Sequence, residues 1–170
     1  MIACFDVYYS GEKATAAAIV FSDWQSRVSE FAYTASLSEV AEYEPGKFYL
    51  RELAPLLSVI EKIKQPIEAF VIDGYCHLSP DLKPGLGAYL FESLQQDVAV
   101  VGVAKNRYRD SQHAVEVTRG QSSKALFVTS IGIASELAAK HVRSMDGEFR
   151  MPTILKAVDR LSRTGREVDQ

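Results

Sequence analysis

The chain has 170 residues, the length of one ordinary domain, and 47% of them are hydrophobic, which is enough to fill a single core. No apolar run approaches the roughly 18 residues that a membrane-spanning helix needs, and from the first residues we expect no secretory leader. Cys4 and Cys76 are too few for a disulfide scaffold and lack the paired spacing of a zinc site. We therefore expect a cytoplasmic protein with reduced thiols and no membrane span, formed as one domain over residues 1–170.

The net charge of -3 hides an asymmetry along the chain. Residues 1–104 carry 7 basic side chains against 14 acidic ones, whereas residues 105–170 carry 12 against 8. An enzyme that gathers a metal ion with acids and meets phosphates with a basic flank would show this division. Helices that happen to differ in surface charge would show it equally well, so both interpretations stay open.

The order of the predicted elements indicates an α/β domain with a mixed sheet. Three strands on tight turns come first and suggest an antiparallel meander, over residues 2–8, 14–21 and 27–35. Apolar residues then recur at helical spacing from Leu50 to Ile63. Beyond this helix the pattern predicts a strand over 69–72, a helix over 85–94, a strand over 98–103, a hairpin of strands over 114–118 and 125–129, and helices over 136–145 and 153–161. We expect parallel crossovers in the middle of the chain and a frayed polar tail over 162–170.

Two aspartates lie in predicted strands, one inside a strand that is otherwise apolar and one at a strand end. Asp6 interrupts the first strand, and Asp73 ends the fourth. This layout is that of ribonuclease H-like nucleases, in which the two carboxylates would be neighbours and would repel each other unless a divalent cation lay between them. Glu52, early in the intervening helix, is the natural third ligand. Taken singly, each acid has an ordinary alternative, as an edge-strand, turn or solvated helix residue.

Several short motifs occur together in the order and spacing of a known family. They are Cys4-Phe5-Asp6-Val7, Tyr43-Glu44-Pro45-Gly46 with Arg51-Glu52, Asp73-Gly74 with Pro80, Gly102-Val103-Ala104-Lys105, and Phe127-Val128-Thr129-Ser130 with Gly132. Through them most of the chain resembles the endonuclease V family, whose enzymes nick nucleic acid near deaminated adenine. The resemblance implies a ribonuclease H-like fold.

The resemblance also implies an activity. A divalent-metal-dependent endonuclease would bind a flipped hypoxanthine, in deoxyinosine of DNA or inosine of RNA, and hydrolyse the second phosphodiester bond 3′ to it. The products would carry 5′-phosphates, and the context would be DNA repair or turnover of inosine-containing nucleic acid. Asp6, Glu52 and Asp73 would hold Mg²⁺, with Mn²⁺ as the alternative, and Lys105 would neutralise a phosphate or position a water.

Two further groups of residues would contact the substrate. The resemblance implies a lesion site in which the first residues form a wedge and the glycines let backbone approach the base, made of Tyr43, Pro45, Gly46, Gly74 and Gly102. The basic residues that follow Lys105 predict a strip of phosphate contacts, made of Arg107, Arg109, Arg119 and Lys124. A solvated loop is the alternative for this strip.

The chain departs from the family pattern beside these motifs. Tyr75 and Cys76 follow Asp73-Gly74, where the family has a small amide and glycine, and Ser79 replaces a histidine before the proline. Ile133 stands where another histidine is expected. A non-catalytic module that binds inosine or nucleic acid, or a structure-specific nuclease with an altered pocket, are therefore alternative functions. We expect a monomer.

Overall fold

The computed structural model describes residues 1–38, 48–95, 97–109 and 111–165. Within these ranges seven strands form one sheet in the order β3-β2-β1-β4-β5-β7-β6. The strands are β1 (Ile2–Ser10), β2 (Lys13–Phe21), β3 (Phe31–Leu37), β4 (Ala69–Asp73), β5 (Ala99–Ala104), β6 (Val115–Val117) and β7 (Leu126–Ile131). Four helices in the same ranges flank the sheet, namely α1 (Phe48–Ile60), α2 (Leu86–Ser93), α3 (Ser135–Ser144) and α4 (Thr153–Thr164).

The sheet has the mixed topology that the sequence predicts. β1, β2 and β3 pair antiparallel as a meander, and β1, β4 and β5 pair parallel. β7 pairs antiparallel with both β5 and β6, so the predicted hairpin is also confirmed. The central strands are therefore enclosed by neighbours on both sides, which suits their nearly continuous apolar sequences.

The strand register brings the two strand acids to one end of the sheet. In the parallel pair of β1 and β4, Cys4 lies opposite Val71. Two residues further along each strand stand Asp6 and Asp73, so the register sets them level with each other. The carboxyl ends of parallel strands are where functional groups gather in open α/β sheets.

The core lies in two layers because successive strand residues face opposite sides of the sheet. Cys4 and Val71 belong to the layer under α3 and α4, together with Val142 and Val158. Phe5, the next residue of β1, belongs to the layer under α1 and α2. Each helix pair thus covers one face of the sheet, while the strand ends remain open between them.

Two predicted boundaries need correction. The third strand begins at Phe31 rather than at residue 27, because Asp23 Oδ1 accepts the Gln25 amide at 2.7 Å and holds a turn after β2. The last helix continues to Thr164, so residue 162 is not part of a frayed tail. Ser162 is only 1% exposed, and Gly165 ends the helix in the left-handed conformation at φ 65°. The rest of the predicted tail, 166–170, lies outside the described residues.

Both cysteines are free, as predicted, and both are buried. In the described ranges no helix has the length and apolar character needed to cross a membrane.

Candidate active site

A pocket of about 330 Å³ opens where β4 and β5 end. It is lined by all four residues that the sequence predicts as catalytic, namely Asp6, Glu52, Asp73 and Lys105. Apolar side chains form much of the remaining wall, including those of Phe5, Leu56, Ile72 and Leu86. Three strands and two helices that are distant in sequence therefore converge on a single cavity with acidic and apolar walls.

Asp6 projects from β1 toward the helix at the end of the chain. Its Oδ2 atom accepts a hydrogen bond from the Ser162 hydroxyl of α4 at 2.5 Å. Burial raises the pKa of Asp6, and the charges of Asp159 and Asp73 raise it further, while the Ser162 bond and Lys105 act in the opposite direction. The carboxylate is thus held in place in surroundings that disfavour its charge.

Glu52 is the most enclosed of the three predicted ligands. It lies in α1 with 7% exposure, and burial raises its pKa to about 7. A hydrogen bond from Tyr9 lowers that pKa, whereas the charges of Asp6 and Asp73 raise it. The Tyr9 hydroxyl has one proton to share between Glu52 and the Arg51 carbonyl, whose oxygen lies 3.0 Å from it, and the Arg51 guanidinium lies 4.0 Å from the centre of the Tyr9 ring. Glu52 therefore carries a proton over much of the acidic range when no cation is nearby.

Asp73 and Lys105 form the open side of the pocket. Lys105 Nζ lies 3.2 Å from Asp73 Oδ2, and the two side chains are 45% and 50% exposed. An ion pair so accessible to water contributes little to stability, typically about 0 to 1 kcal/mol. Both groups can therefore be redirected toward a ligand at low cost.

Tyr75 shows what the departure from the family pattern does at the rim. The residue lines the pocket and is 8% exposed. Its hydroxyl donates to the Asn106 carbonyl at 2.8 Å and accepts from the Tyr108 amide at 3.0 Å, with Ser111 Oγ at 3.4 Å. The backbone of this segment thus uses the one donor of the phenol and one of its acceptor sites. Tyr75 thereby fixes the segment that directly follows Lys105.

A fourth carboxylate, which the sequence analysis missed, borders this site. Asp159 of α4 lines a smaller adjoining pocket together with Asp6, Asp73 and Lys105. Its charge is one of the causes that raise the pKa of Asp6. The sequence offers no motif around Asp159, and only the packing of α4 against β1 brings it here.

Two of the five predicted lesion residues, Gly74 and Gly102, lie among the described residues. Tyr43, Pro45 and Gly46 lie outside the described residues. Gly74 lines the pocket and has φ 144°, a conformation that favours glycine. A side chain at Gly102 would lie 2.5 Å from the Gly74 carbonyl oxygen, so the close approach there is made by the protein's own backbone rather than left for a base.

One member of the predicted phosphate strip, Arg119, is buried and bonds the protein's own backbone. Arg119 is 5% exposed, and its guanidinium donates to carbonyls of the loop between α3 and α4, those of Met145, Gly147, Phe149 and Arg150. These carbonyls lie beyond the regular bonds of either helix, so the buried arginine supplies the donors that they need. Arg119 is therefore not available to a phosphate, and the prediction for it is corrected.

The other three members of the strip are exposed. Arg107 pairs with Glu116, and its guanidinium carbon lies 4.8 Å from the centre of the Phe127 ring. Arg109 and Lys124 are exposed side chains of loops.

Comparisons with known proteins agree with this architecture. A sequence profile of the family described as endonuclease V matches residues 1–147. The solved structure of endonuclease V from Streptomyces avermitilis is 21% identical with a TM-score of 0.75, covering 96% of this chain and 80% of that chain. No curated protein sequence matches the chain.

Two further solved structures show the same fold at lower identity. Ciona intestinalis endonuclease V, in complex with a 23mer DNA containing an inosine followed by a ribo-adenosine, is 18% identical with a TM-score of 0.79, covering 96% of this chain and 84% of that one. Human ENDOV is 18% identical with a TM-score of 0.76, covering 96% and 83%. The predicted ribonuclease H-like fold is confirmed.

Proposed function

Since the chain belongs to the endonuclease V family, whose members are endonucleases, we propose that it cleaves nucleic acid that contains hypoxanthine. The substrate would be deoxyinosine in DNA or inosine in RNA, and the bond cleaved would be the second phosphodiester 3′ to the lesion. The observation that carries the proposal is the convergence of Asp6, Glu52, Asp73 and Lys105 on one pocket. A structural protein would gain nothing from crowding three carboxylates there.

The pocket has the size and lining that suit a nucleotide with an extruded base. Its volume of about 330 Å³ falls within the range of small-molecule sites, roughly 300 to 1,000 Å³. Apolar walls at Leu56 and Leu86 can contact the faces of a base, while backbone near Gly74 can approach its edge. Lys105 can set a compact positive charge against the adjoining phosphate.

A divalent cation fits the donor chemistry of the site. The charges of Asp6 and Asp73 raise the pKa of Glu52, the charge of Asp73 raises that of Asp6, and a cation among the carboxylates would relieve that repulsion. Among the described residues, no three His, Cys, Asp or Glu side chains are already placed to hold an ion. Asp6, Glu52 and Asp73 would have to draw together around it, and Asp159 lies where it could join them.

The family depends on divalent metal ions, and we assign Mg²⁺ here with Mn²⁺ as the alternative. When bound, the ion would supply Lewis acidity to the scissile phosphate. The protein's own part is to place the ligands, with Ser162 orienting Asp6 and Tyr9 orienting Glu52. Tyr75 holds the segment after Lys105, so that the ammonium stays beside Asp73.

The experiment that tests this function is cleavage of labelled oligonucleotides. One strand carries a single deoxyinosine, one the matching adenine, and one an inosine in RNA, each with Mg²⁺, Mn²⁺ or EDTA. A metal-dependent nick 3′ to the lesion supports the proposal, and the strand that is cut identifies DNA or RNA as the substrate. Binding to inosine without cleavage would instead favour the non-catalytic module.

A nuclease for structured DNA would cut flaps or mismatches and would treat the inosine and adenine strands alike. Tyr75 at the rim is the residue that motivates this alternative. The cytoplasmic location and the monomeric state stay predictions.

A further inference from the structure

The exposed face of α4 carries a row of positive charges. Lys156, Arg160 and Arg163 follow one another at spacings of four and three residues, which places them on one side of a helix. All three side chains are exposed, while Leu155, Val158 and Leu161 of the same helix are buried against the sheet. Amphipathic packing alone requires a polar face but not a face with three cations.

Aromatic rings accompany two of these cations. Lys156 Nζ lies 4.6 Å from the centre of the Phe149 ring, and Phe149 is 64% exposed. The Arg163 guanidinium lies 5.1 Å from the centre of the Tyr8 ring. An exposed phenylalanine leaves apolar surface in water, which is a cost that a ligand stacking on the ring would remove.

This row borders the proposed active site. Asp159, on the same helix between Lys156 and Arg163, lines the smaller pocket together with Asp6 and Asp73. Asp159 itself is paired with Arg163 at 3.0 Å, so its negative charge is partly offset. A strand that leaves the pocket on this side would meet the α4 face next.

The loop that presents Phe149 is held firmly. Arg119 donates to the carbonyl of Phe149 itself at 3.0 Å and to neighbouring carbonyls of the same loop. Arg150, the next residue, donates to the carbonyls of Lys105 and Ala125 and so ties the loop to the segment at the pocket. A ring presented on a fixed loop loses little conformational entropy when a ligand covers it.

We propose that the α4 face binds the sugar-phosphate backbone of the substrate strand beyond the pocket, with a base stacked on Phe149. The inference rests on the proposed function and deepens it by assigning a second contact region. Lys156 and Arg160 contact phosphates, since they are the two exposed cations of the row that no carboxylate in the described contacts pairs with. The contact does not depend on the nucleotide sequence, because every nucleotide carries the same phosphate and every base has a face that can stack on an aromatic ring.

The test measures binding rather than cleavage. Fluorescence anisotropy in EDTA, at several salt concentrations, compares single strands with deoxyinosine and with adenine. The variant Lys156→Gln/Arg160→Gln is expected to flatten the slope of log affinity against log salt by about 1.4, because each phosphate contact to a single strand contributes about 0.7. Phe149→Ala is expected to weaken binding about five- to a hundredfold on both strands.

A matched pair of exposed lysines elsewhere provides the control. Lys64→Gln/Lys140→Gln removes the same charge from residues that line neither pocket, so its slope should equal that of the wild type. Equal slopes for the two double variants, or a wild type that binds neither strand, would overturn the proposed surface. A wild type that binds both strands equally, with the slope flattened only by the α4 variant, would support the surface and overturn inosine recognition.

Discussion

The two sides of the acidic pocket differ in how they hold their charges. On one side Asp6 and Glu52 are enclosed, and burial is the main reason that both pKa values are raised. On the other side Asp73 is half exposed and has Lys105 as its counter-ion in water. Ionisation of Asp6 and Glu52 therefore destabilises the folded protein, whereas ionisation of Asp73 does not.

The difference separates two requirements of a metal-dependent site. Buried ligands give strong electrostatic interactions with an ion but are costly in its absence. A half-exposed carboxylate costs little and can exchange its lysine partner for an ion or a phosphate. We therefore expect substitutions on the two sides to affect activity alike and stability differently.

The largest expected effect is on catalysis from the open side. Asp73→Asn should lower the cleavage rate by at least about a thousandfold, because it removes the charge of a proposed metal ligand. Its thermal stability should not fall, since the lost ion pair is exposed and the removed charge repels Asp6 and Glu52. Asp97→Asn, an exposed aspartate that lines neither pocket, serves as the control and should keep full activity. Wild-type turnover in Asp73→Asn would refute the metal assignment.

The next largest effect should be that of Glu52→Gln, on the enclosed side, on the free energy of unfolding. The pKa of Glu52 is about 7 in the folded protein against 4.5 ordinarily, so the free energy of unfolding should fall as pH rises from about 4.5 to about 7 and stay lower above that. The full difference is about 3 kcal/mol. In EDTA at pH 8, Glu52→Gln should thus be more stable than the wild type while being inactive.

Urea unfolding at pH 4 and at pH 8 measures this effect. The gain should be present at pH 8 and absent at pH 4, where Glu52 is protonated in both states. Glu61→Gln, an exposed glutamate just beyond α1, is the matched control and should leave both values unchanged. A loss of stability in Glu52→Gln at pH 8 would contradict the enclosed side as described.

A smaller effect on the open side should come from Tyr75→Phe. Loss of the hydroxyl frees the segment after Lys105, and kcat should fall about tenfold with KM nearly unchanged. In a Lys105→Ala background the same change should have no further effect, because Tyr75 acts through Lys105. Tyr33→Phe removes an equivalent hydroxyl, bonded to Gln65 at 2.9 Å, and should be neutral. Additive losses in the double variant would show that Tyr75 acts by another route.

The smallest effect should come from Ser162→Ala on the enclosed side. The change removes a hydrogen bond that lowers the pKa of Asp6, so that pKa should rise and the cleavage rate at pH 7 should fall about threefold. Raising the pH should restore part of the rate. Ser144, whose hydroxyl donates to the His141 carbonyl at 2.9 Å and bonds no carboxylate, is the control, and Ser144→Ala should have no effect. A rate ratio that does not change with pH would argue against the orienting role.

The sequence predicts the strand acids well because their positions depend on local pattern and strand order. An acid within an apolar strand, as at Asp6, and an acid at the end of a buried strand, as at Asp73, are both visible locally. Parallel pairing then brings them together without knowledge of any side-chain contact. Glu52 follows from its place in a helix that must cross the same sheet.

The residues that sequence reasoning missed depend on contacts between distant parts of the chain. Ser162 looks like the start of a polar tail, because a serine is buried only when a partner such as Asp6 is present. Arg119 is predicted as a phosphate contact, with a solvated loop residue as the alternative, since nothing local reveals the carbonyls that surround it. Asp159 has no motif of its own, and its helix reads only as amphipathic.

The bond between Ser162 and Asp6 also bears on how the enzyme is made. The two residues are 156 positions apart, so the first acid of the pocket cannot acquire its partner until the last helix has left the ribosome. Strand β1 must likewise wait for Ala69 and the residues after it before it can gain its parallel neighbour. A nascent chain that has not yet reached α4 therefore carries Asp6 without the bond that orients it.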